Sequence, residues 1–90
     1  MRKKKAIKEL SEFKSNPKNI RFERLCALAV AFGFRLSRCH GSHYIFALDD
    51  VKEILDFQER DGKAKPYQVK QLIDLIEKYN LQVVDDNDAL

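Results

Sequence analysis

The sequence predicts an α+β domain in which a three-stranded antiparallel sheet carries helices on one of its two faces. Three observations lead to this fold class. Apolar residues recur every three or four positions before Gly33 and after Pro66, as in amphipathic helices. Between those segments they alternate with polar residues, as in half-buried strands. The length of 90 residues is enough for one modest core.

Two helices are predicted before the strands. The first spans residues 3–15, and its thin apolar stripe of Ile7, Leu10 and Phe13 predicts loose docking. Residues 15–19, which include Pro17, break it. The second spans about residues 21–32, and Gly33 is suited to end it. Its apolar stripe consists of Phe22, Leu25, Cys26, Ala29 and Phe32.

A meander of three strands is predicted next, from Phe34 to Gln58. Residues 39–42 form a tight hairpin turn in which Gly41 can take a positive φ, and the later strands span about 43–48 and 54–58. Strict alternation assigns to the covered face Phe34, Leu36, Tyr44, Phe46, Leu48, Leu55 and Phe57. It assigns to the open face Arg35, Ser37, Cys39, His43, Ile45, Ala47, Ile54, Asp56 and Gln58.

The chain is predicted to end with a helix and an acidic tail. Pro66 begins the helix, which runs to about Tyr79. Residues 81–84 are predicted to form a short edge segment, and residues 85–88 a frayed acidic stretch. We therefore divide the chain into a basic N-terminal extension (1–18), a central domain (19–82) and an acidic tail (83–90).

Positive charge is concentrated in two blocks, which predicts a polyanionic partner. Residues 1–21 carry eight Lys and Arg against two Glu, and residues 60–71 carry four against one Asp. Lys and Arg displace the counterions condensed on phosphates, so such blocks are typical of nucleic-acid binding. Improved solubility is the competing interpretation. No apolar run reaches the length of a membrane span, and no apolar segment follows the basic start, so we expect a cytoplasmic protein without a membrane partner.

His43 is the candidate for chemistry. A histidine exchanges protons near neutral pH, and RNA carries its own nucleophile in the 2′-hydroxyl. One histidine beside cations is therefore the smallest set of groups that could promote strand cleavage. Asp56, predicted on the same face, can orient the ring. The groups assigned to hold phosphate or to position the reacting groups are Arg35, Gly41, Ser42, Lys63 and Lys65. A solvated hairpin histidine without a role is the competing interpretation.

The segment from Lys63 to Lys70 is a further candidate contact for phosphate. Lysines at the start of a helix oppose its dipole, which makes Lys63, Lys65 and Lys70 slightly unfavourable for folding alone. This disadvantage favours a role in binding. Solvated surface lysines are the competing interpretation.

Other chemistries fit the residues less well. A zinc site from Cys26, Cys39, His40 and His43 lacks the paired ligand spacing of structural zinc sites. Ser42 and His43 are adjacent on a strand and would point to opposite faces, which disfavours a serine hydrolase. Glycine-rich phosphate loops are absent from the sequence. We therefore expect neither a metal nor a small-molecule cofactor.

The stretch Cys39-His40-Gly41-Ser42-His43-Tyr44-Ile45-Phe46 resembles a known signature. It is similar to the Gly-Ser-His, aromatic or His, aliphatic, aromatic pattern of the HicA-type (YcfA-like) mRNA interferase toxins of bacterial type II toxin–antitoxin pairs. Residues 22–25 and 31–34 resemble the first helix and first strand of that family. Residues 62–72 are similar to the closing segment of one branch. The resemblance covers about residues 19–80.

This resemblance implies a fold like the double-stranded-RNA-binding domain, α-β-β-β-α, here with an extra N-terminal helix. It implies a metal-independent endoribonuclease that cleaves mRNA and so inhibits translation, with His43 catalytic and Gly41 and Ser42 supporting it. A HicB-type antitoxin would cover the active face. The chain departs from many members at residues 57–63, where they carry a Pro-x-His-type segment, and in its extension of residues 1–18.

Two alternatives from other classes remain open. One is an RNA-binding module on the same fold that performs no chemistry. The other is a small interaction protein whose basic patches meet an acidic protein partner, which would not bind RNA at moderate salt.

Overall fold

The computed structural model describes residues 1–84, so the acidic stretch predicted at residues 85–88 lies outside the described residues. Within the described part, the elements follow in the order α1 (Lys3–Ser15), α2 (Phe22–Ala31), β1 (Arg35–His40), β2 (His43–Ala47), β3 (Leu55–Gln58) and α3 (Pro66–Lys78). The prediction of a small α+β domain with a three-stranded antiparallel sheet is confirmed.

The sheet has β2 at its centre, and one face is buried beneath the helices. Tyr44 lies opposite Phe57, and Phe46 lies opposite Leu55. The rings of Phe46 and Phe57 pack with their centroids 5.5 Å apart. Together with Phe34, the residues Phe46, Leu55 and Phe57 are buried, as alternation predicts.

Leu36 is the exception on this face. We predicted it in the core, but it is 50% exposed. It lies on β1, which is an edge strand of the sheet. Beside it, Val30 at the end of α2 is exposed as well, and the two line a shallow apolar depression. The helical layer therefore covers β2 and β3 more fully than it covers β1.

Helices α2 and α3 supply the other half of the core. α2 buries Leu25, Leu28 and Ala29. After it, Gly33 takes a φ of 100°, a backbone conformation that favours glycine. An added Cβ would also lie only 3.3 Å from Leu48 Cδ1, so a larger residue is disfavoured by sterics as well. α3 begins at Pro66, whose missing N–H suits the first turn. None of the helices in residues 1–84 is long and apolar enough to cross a membrane.

Helix α1 packs differently from the predicted stripe. Ile7 is 51% exposed, whereas Ala6 and Phe13 are buried. Glu9 is also buried and pairs with Arg24 of α2, whose guanidinium lies 5.3 Å from the centroid of the Phe13 ring. The docking that we predicted to be loose is therefore an apolar contact reinforced by a partly buried ion pair.

One end of the sheet is tied to α3 by polar contacts. In the loop after β2, Glu53 accepts hydrogen bonds of 2.6 Å from Lys78 Nζ and from the Tyr79 hydroxyl. These bonds lower the pKa of Glu53 to about 2. The edge segment predicted at residues 81–84 is not a strand: the chain passes the end of α2, where Val84 N–H donates to the Ala31 carbonyl at 2.8 Å.

Candidate active site

The β1–β2 hairpin positions His43 at its turn. Gly41 takes a φ of 61°, which confirms the predicted positive value and allows a two-residue connection with glycine first. His40 and His43 face each other across the pair of strands on either side of this turn. Ser42 occupies the second turn position, so the Gly-Ser-His sequence forms the turn and begins β2.

A β-bulge in β1 changes which side chains accompany His43. Leu36 pairs with Phe46, but the next pair is Arg38 with Ile45, so Ser37 is an extra residue on this strand. Beyond the bulge, Arg38 and His40 lie on the open face. Ser37 lines a depression together with Arg35 and Ala47 of the open face. The prediction that Cys39 lies on that face is wrong, because strict alternation fails at the bulge.

Cys39 is consequently paired with Tyr44, a residue of the covered face. The Cys39 thiol raises the pKa of Tyr44, chiefly through its charge when ionised and also through a hydrogen bond. Cys39 Sγ also donates to the Gly41 carbonyl at 3.8 Å, which holds the thiol at the hairpin turn. The other cysteine, Cys26, is partly buried on α2, and this burial raises the pKa of its thiol to about 11.

The His43 ring is held by Asp56 on the neighbouring strand. The two residues are diagonal neighbours across β2 and β3, and His43 Nδ1 lies 2.8 Å from Asp56 Oδ1. This confirms that both residues share the open face and that Asp56 orients the ring. A carboxylate only accepts hydrogen bonds, so Nδ1 carries the proton and Nε2 is left as the basic nitrogen. The side chains are 45% and 50% exposed, so solvent and ligands reach them.

An open depression of about 450 Å³ surrounds this pair. Its lining residues come from all three strands and are Arg38, Cys39, His40, His43, Ile45 and Asp56. Arg38 makes no ion pair with any of residues 1–84. The depression therefore combines a base, a second imidazole and a cation that is available to an anion.

A hydrogen-bonded chain links the turn to the start of α3. Gln58 lies opposite His43; its Nε2 donates to Ser42 Oγ at 3.1 Å, and its Oε1 accepts from Lys65 Nζ at 2.8 Å. The buried Gln68 accepts from the Gln58 backbone N–H at 3.2 Å, which fixes β3 against the helix. Of the predicted site residues, Gly41, Ser42, His43 and Lys65 are thus brought to one corner of the sheet.

Lys63 lies in a second, basic depression beside that corner. The 60–64 loop is pinned to the 19–22 segment, with Ala64 N–H donating to the Ile20 carbonyl at 2.8 Å and Lys63 Nζ donating to Asn19 Oδ1 at 3.2 Å. The depression encloses about 510 Å³. Its charged lining residues are Lys18, Arg60, Asp61, Lys63 and Lys65. Lys65 belongs to both networks and connects them.

Arg35 and Lys70 are not part of this corner. Arg35 lies opposite Ala47 at the far end of the hairpin and is 3.5 Å from Asp49 in an exposed ion pair. Lys70 is an exposed residue of α3, in the helical layer. Neither residue is adjacent to His43. Arg35 lies at the opposite end of the hairpin, and Lys70 lies in the helical layer.

Sequence reasoning missed Arg38 and His40 as neighbours of His43. One signal for them was present. The residues of the covered face are spaced by two up to Leu36, but the next such position is Cys39, three residues later. A spacing of three inside a strand indicates an inserted residue, and a bulge moves every later side chain to the opposite face.

Within residues 1–84, no group of three or more His, Cys, Asp and Glu side chains is arranged to hold a metal ion. Comparison of the chain with protein-family models, with curated proteins and with solved structures returns no match.

Proposed function

We propose that this protein is a metal-independent endoribonuclease of the HicA-like toxin type, on a fold like that of the double-stranded-RNA-binding domain. The observation that carries the proposal is the His43–Asp56 pair, 2.8 Å apart on an exposed sheet face beside Arg38, which forms no ion pair within residues 1–84. This is a base with a fixed tautomer next to a cation, and RNA brings the nucleophile.

His43 acts on the 2′-hydroxyl of the nucleotide at the cleavage site. Its Nε2 is free because Nδ1 is engaged by Asp56, so Nε2 accepts the proton as the 2′-oxygen attacks the phosphorus. The Arg38 guanidinium offers donors to the non-bridging oxygens, where negative charge develops. Ser42, held by Gln58, keeps the turn in place beside the ring.

The basic depression gives the RNA backbone a second point of attachment. Lys63 and Lys65, joined there by Lys18 and Arg60, offer positive charge next to the His43 corner. Phosphate contacts position a nucleic acid without selecting its sequence. Such contacts suit an enzyme whose substrate class is mRNA in general, and cleavage of mRNA would inhibit translation.

An antitoxin of the HicB type is the proposed protein partner. The open face holds the half-exposed His43 and Asp56 side chains, and none of the helices in residues 1–84 covers them. A partner that covers this face would shield His43 and block access of RNA. The Arg38, Lys63 and Lys65 side chains would favour an acidic surface on that partner.

The test is RNA integrity after incubation with purified protein in excess EDTA, with wild type beside His43→Ala. We expect cleavage by wild type and a loss of about 10²–10⁴-fold in the variant, the usual contribution of a general base or acid. Asp56→Asn should also lose activity, because it disturbs the tautomer while leaving the imidazole in place. Equal cleavage by wild type and His43→Ala would reject His43 as the catalytic group.

An RNA-binding module without chemistry is the second candidate, and the basic depression supports it. That surface needs neither His43 nor Asp56 to attract phosphate. Intact RNA that is nevertheless bound, with an affinity that falls steeply with salt, would favour this candidate. Absence of both binding and cleavage would favour the third, an interaction protein with an acidic partner.

A further inference from the structure

The bulge at Ser37 and the tight turn at Gly41 bring a second imidazole to the candidate site. His40 pairs directly with His43 across the hairpin, and directly opposed residues have Cα atoms about 4.5–5.5 Å apart with side chains on the same face. Both rings line the same open depression. The sequence Cys39-His40-Gly41-Ser42-His43 therefore builds a pair of histidines rather than a single one.

The two rings stand in different surroundings. Asp56 engages His43 Nδ1 and so commits its Nε2 to accepting a proton. The His40 ring forms no hydrogen bond or ion pair with any of residues 1–84 and is exposed. Pairs of titratable groups in unlike environments are suited to opposite roles in acid–base catalysis.

We propose that His40 is a second catalytic residue, the general acid that protonates the leaving group during RNA cleavage. This inference rests on the proposed nuclease function and adds a role to it. A phosphodiester transfer needs a base for the attacking oxygen and an acid for the departing one, and these oxygens lie on opposite sides of the phosphorus. Two imidazoles at paired positions can flank one phosphate in that way.

The proposed step is an attack of the 2′-hydroxyl on the adjacent phosphodiester, with one proton moving at each histidine. The 2′-oxygen forms a bond to phosphorus while its proton passes to His43 Nε2. The bond from phosphorus to the 5′-oxygen breaks, and that oxygen takes its proton from the His40 imidazolium. The products are a 2′,3′-cyclic phosphate and a 5′-hydroxyl end, and neither an oxidant nor a metal takes part in the step. Arg38, two residues before His40 on β1 and opposite Ile45, lines the same depression, where its guanidinium can donate to the phosphate oxygens.

The experiment compares His40→Gln and His43→Gln, which are matched changes at paired positions, on two RNA oligonucleotides. One is ordinary RNA. In the other, sulfur replaces the bridging 5′-oxygen at the mapped cleavage site, and this leaving group needs no proton. We expect His40→Gln to lose about 10²–10⁴-fold on ordinary RNA and to recover to within about tenfold of wild type on the sulfur-containing RNA. His43→Gln should be impaired on both.

The outcomes separate this inference from the function on which it rests. Wild-type protein that leaves ordinary RNA intact overturns both. Wild-type cleavage with an undiminished His40→Gln rate overturns only the role of His40, as does a His40→Gln defect that sulfur does not relieve. If the sulfur-containing RNA relieved the His43→Gln defect instead, the proposal would be overturned, because His43 would then be the general acid and His40 the general base. Thermal unfolding of each variant checks that these exposed substitutions leave the fold intact.

Discussion

The two faces of the sheet hold their side chains by different means. On the covered face, Phe34, Phe46 and Phe57 are fixed by packing under the helices. On the open face, His43 and Asp56 are fixed by one hydrogen bond and are each about half exposed. Burial of a large apolar side chain contributes several times more to stability than an exposed polar pair does. Single substitutions on one face or the other should therefore affect folding and the proposed chemistry separately.

The sharpest test of this comparison uses two neighbouring residues of β3. Phe57→Ala removes a fully buried ring and should lower the free energy of unfolding by about 3–5 kcal/mol. Asp56→Asn, on the open face, should change it by less than about 0.5 kcal/mol. Urea denaturation followed by circular dichroism measures both, and Phe57→Leu gives an intermediate point if the alanine variant is unfolded. Equal losses at the two positions would break the comparison.

The helical side of the molecule also contains a partly buried ion pair, Arg24–Glu9, which should contribute more to stability than an exposed pair on the same side. Arg24→Ala leaves the carboxylate of the buried Glu9 without its main partner, and we expect a loss of about 1–3 kcal/mol. Arg21→Ala is the matched control, because the Arg21–Glu23 pair is exposed and should contribute almost nothing. Chemical denaturation measures the free energy of unfolding of both variants. Similar losses would show that burial does not make the Arg24–Glu9 pair more stabilising than the exposed pair.

Much of the fold follows from periodicity in the sequence. The stripe of α2 and the alternation in β2 and β3 predict their buried residues, because each element is packed on one side only. The packing of α1 did not follow. Its buried side includes Glu9, and a carboxylate is buried only where a cation such as Arg24 meets it, fifteen residues away in sequence. Local pattern carries no information about that pairing.

The candidate site was predictable in part for the same reason. His43 and Asp56 lie on regular strands, so alternation places them together. Arg38 and His40 follow the bulge, where counting by two fails. Lys65 was predicted from its charge, but its hydrogen bond to Gln58 joins β3 to the start of α3 and depends on tertiary packing. Regular elements were therefore readable, while the irregular positions that complete the site were not.

The two ends of the sheet extend the comparison, since the hairpin end contacts the start of α3 and the other end contacts the end of α3. At this other end, hydrogen bonds from Lys78 and Tyr79 hold the pKa of Glu53 at about 2, below its ordinary 4.5. The ionised carboxylate therefore stabilises the fold above about pH 4.5, and this contribution is lost as the pH falls towards 2.

We accordingly expect Glu53→Gln to lower Tm at pH 7 and to approach the wild-type Tm as the pH is lowered to 2. Thermal melts across this range provide the measurement. Asp49→Asn is the control, because its pair with Arg35 is 3.5 Å long and highly exposed, and it should differ little from wild type at any pH. A Glu53→Gln defect that persists unchanged at pH 2 would contradict the assignment.

The smallest expected effect on the fold concerns the two cysteines, which differ in their exposure to solvent. Burial raises the pKa of Cys26 to about 11, so at neutral pH it holds about 100-fold less thiolate than an ordinary thiol. Cys39, at the hairpin, is exposed. In native protein, a disulfide reagent should modify one thiol quickly, and Cys39→Ser should abolish that fast phase without changing Tm. In denaturant both thiols should react alike. A fast phase that persists in Cys39→Ser would mean that the reagent reaches the Cys26 thiol. The packing of α2 would then protect that thiol less than its burial indicates.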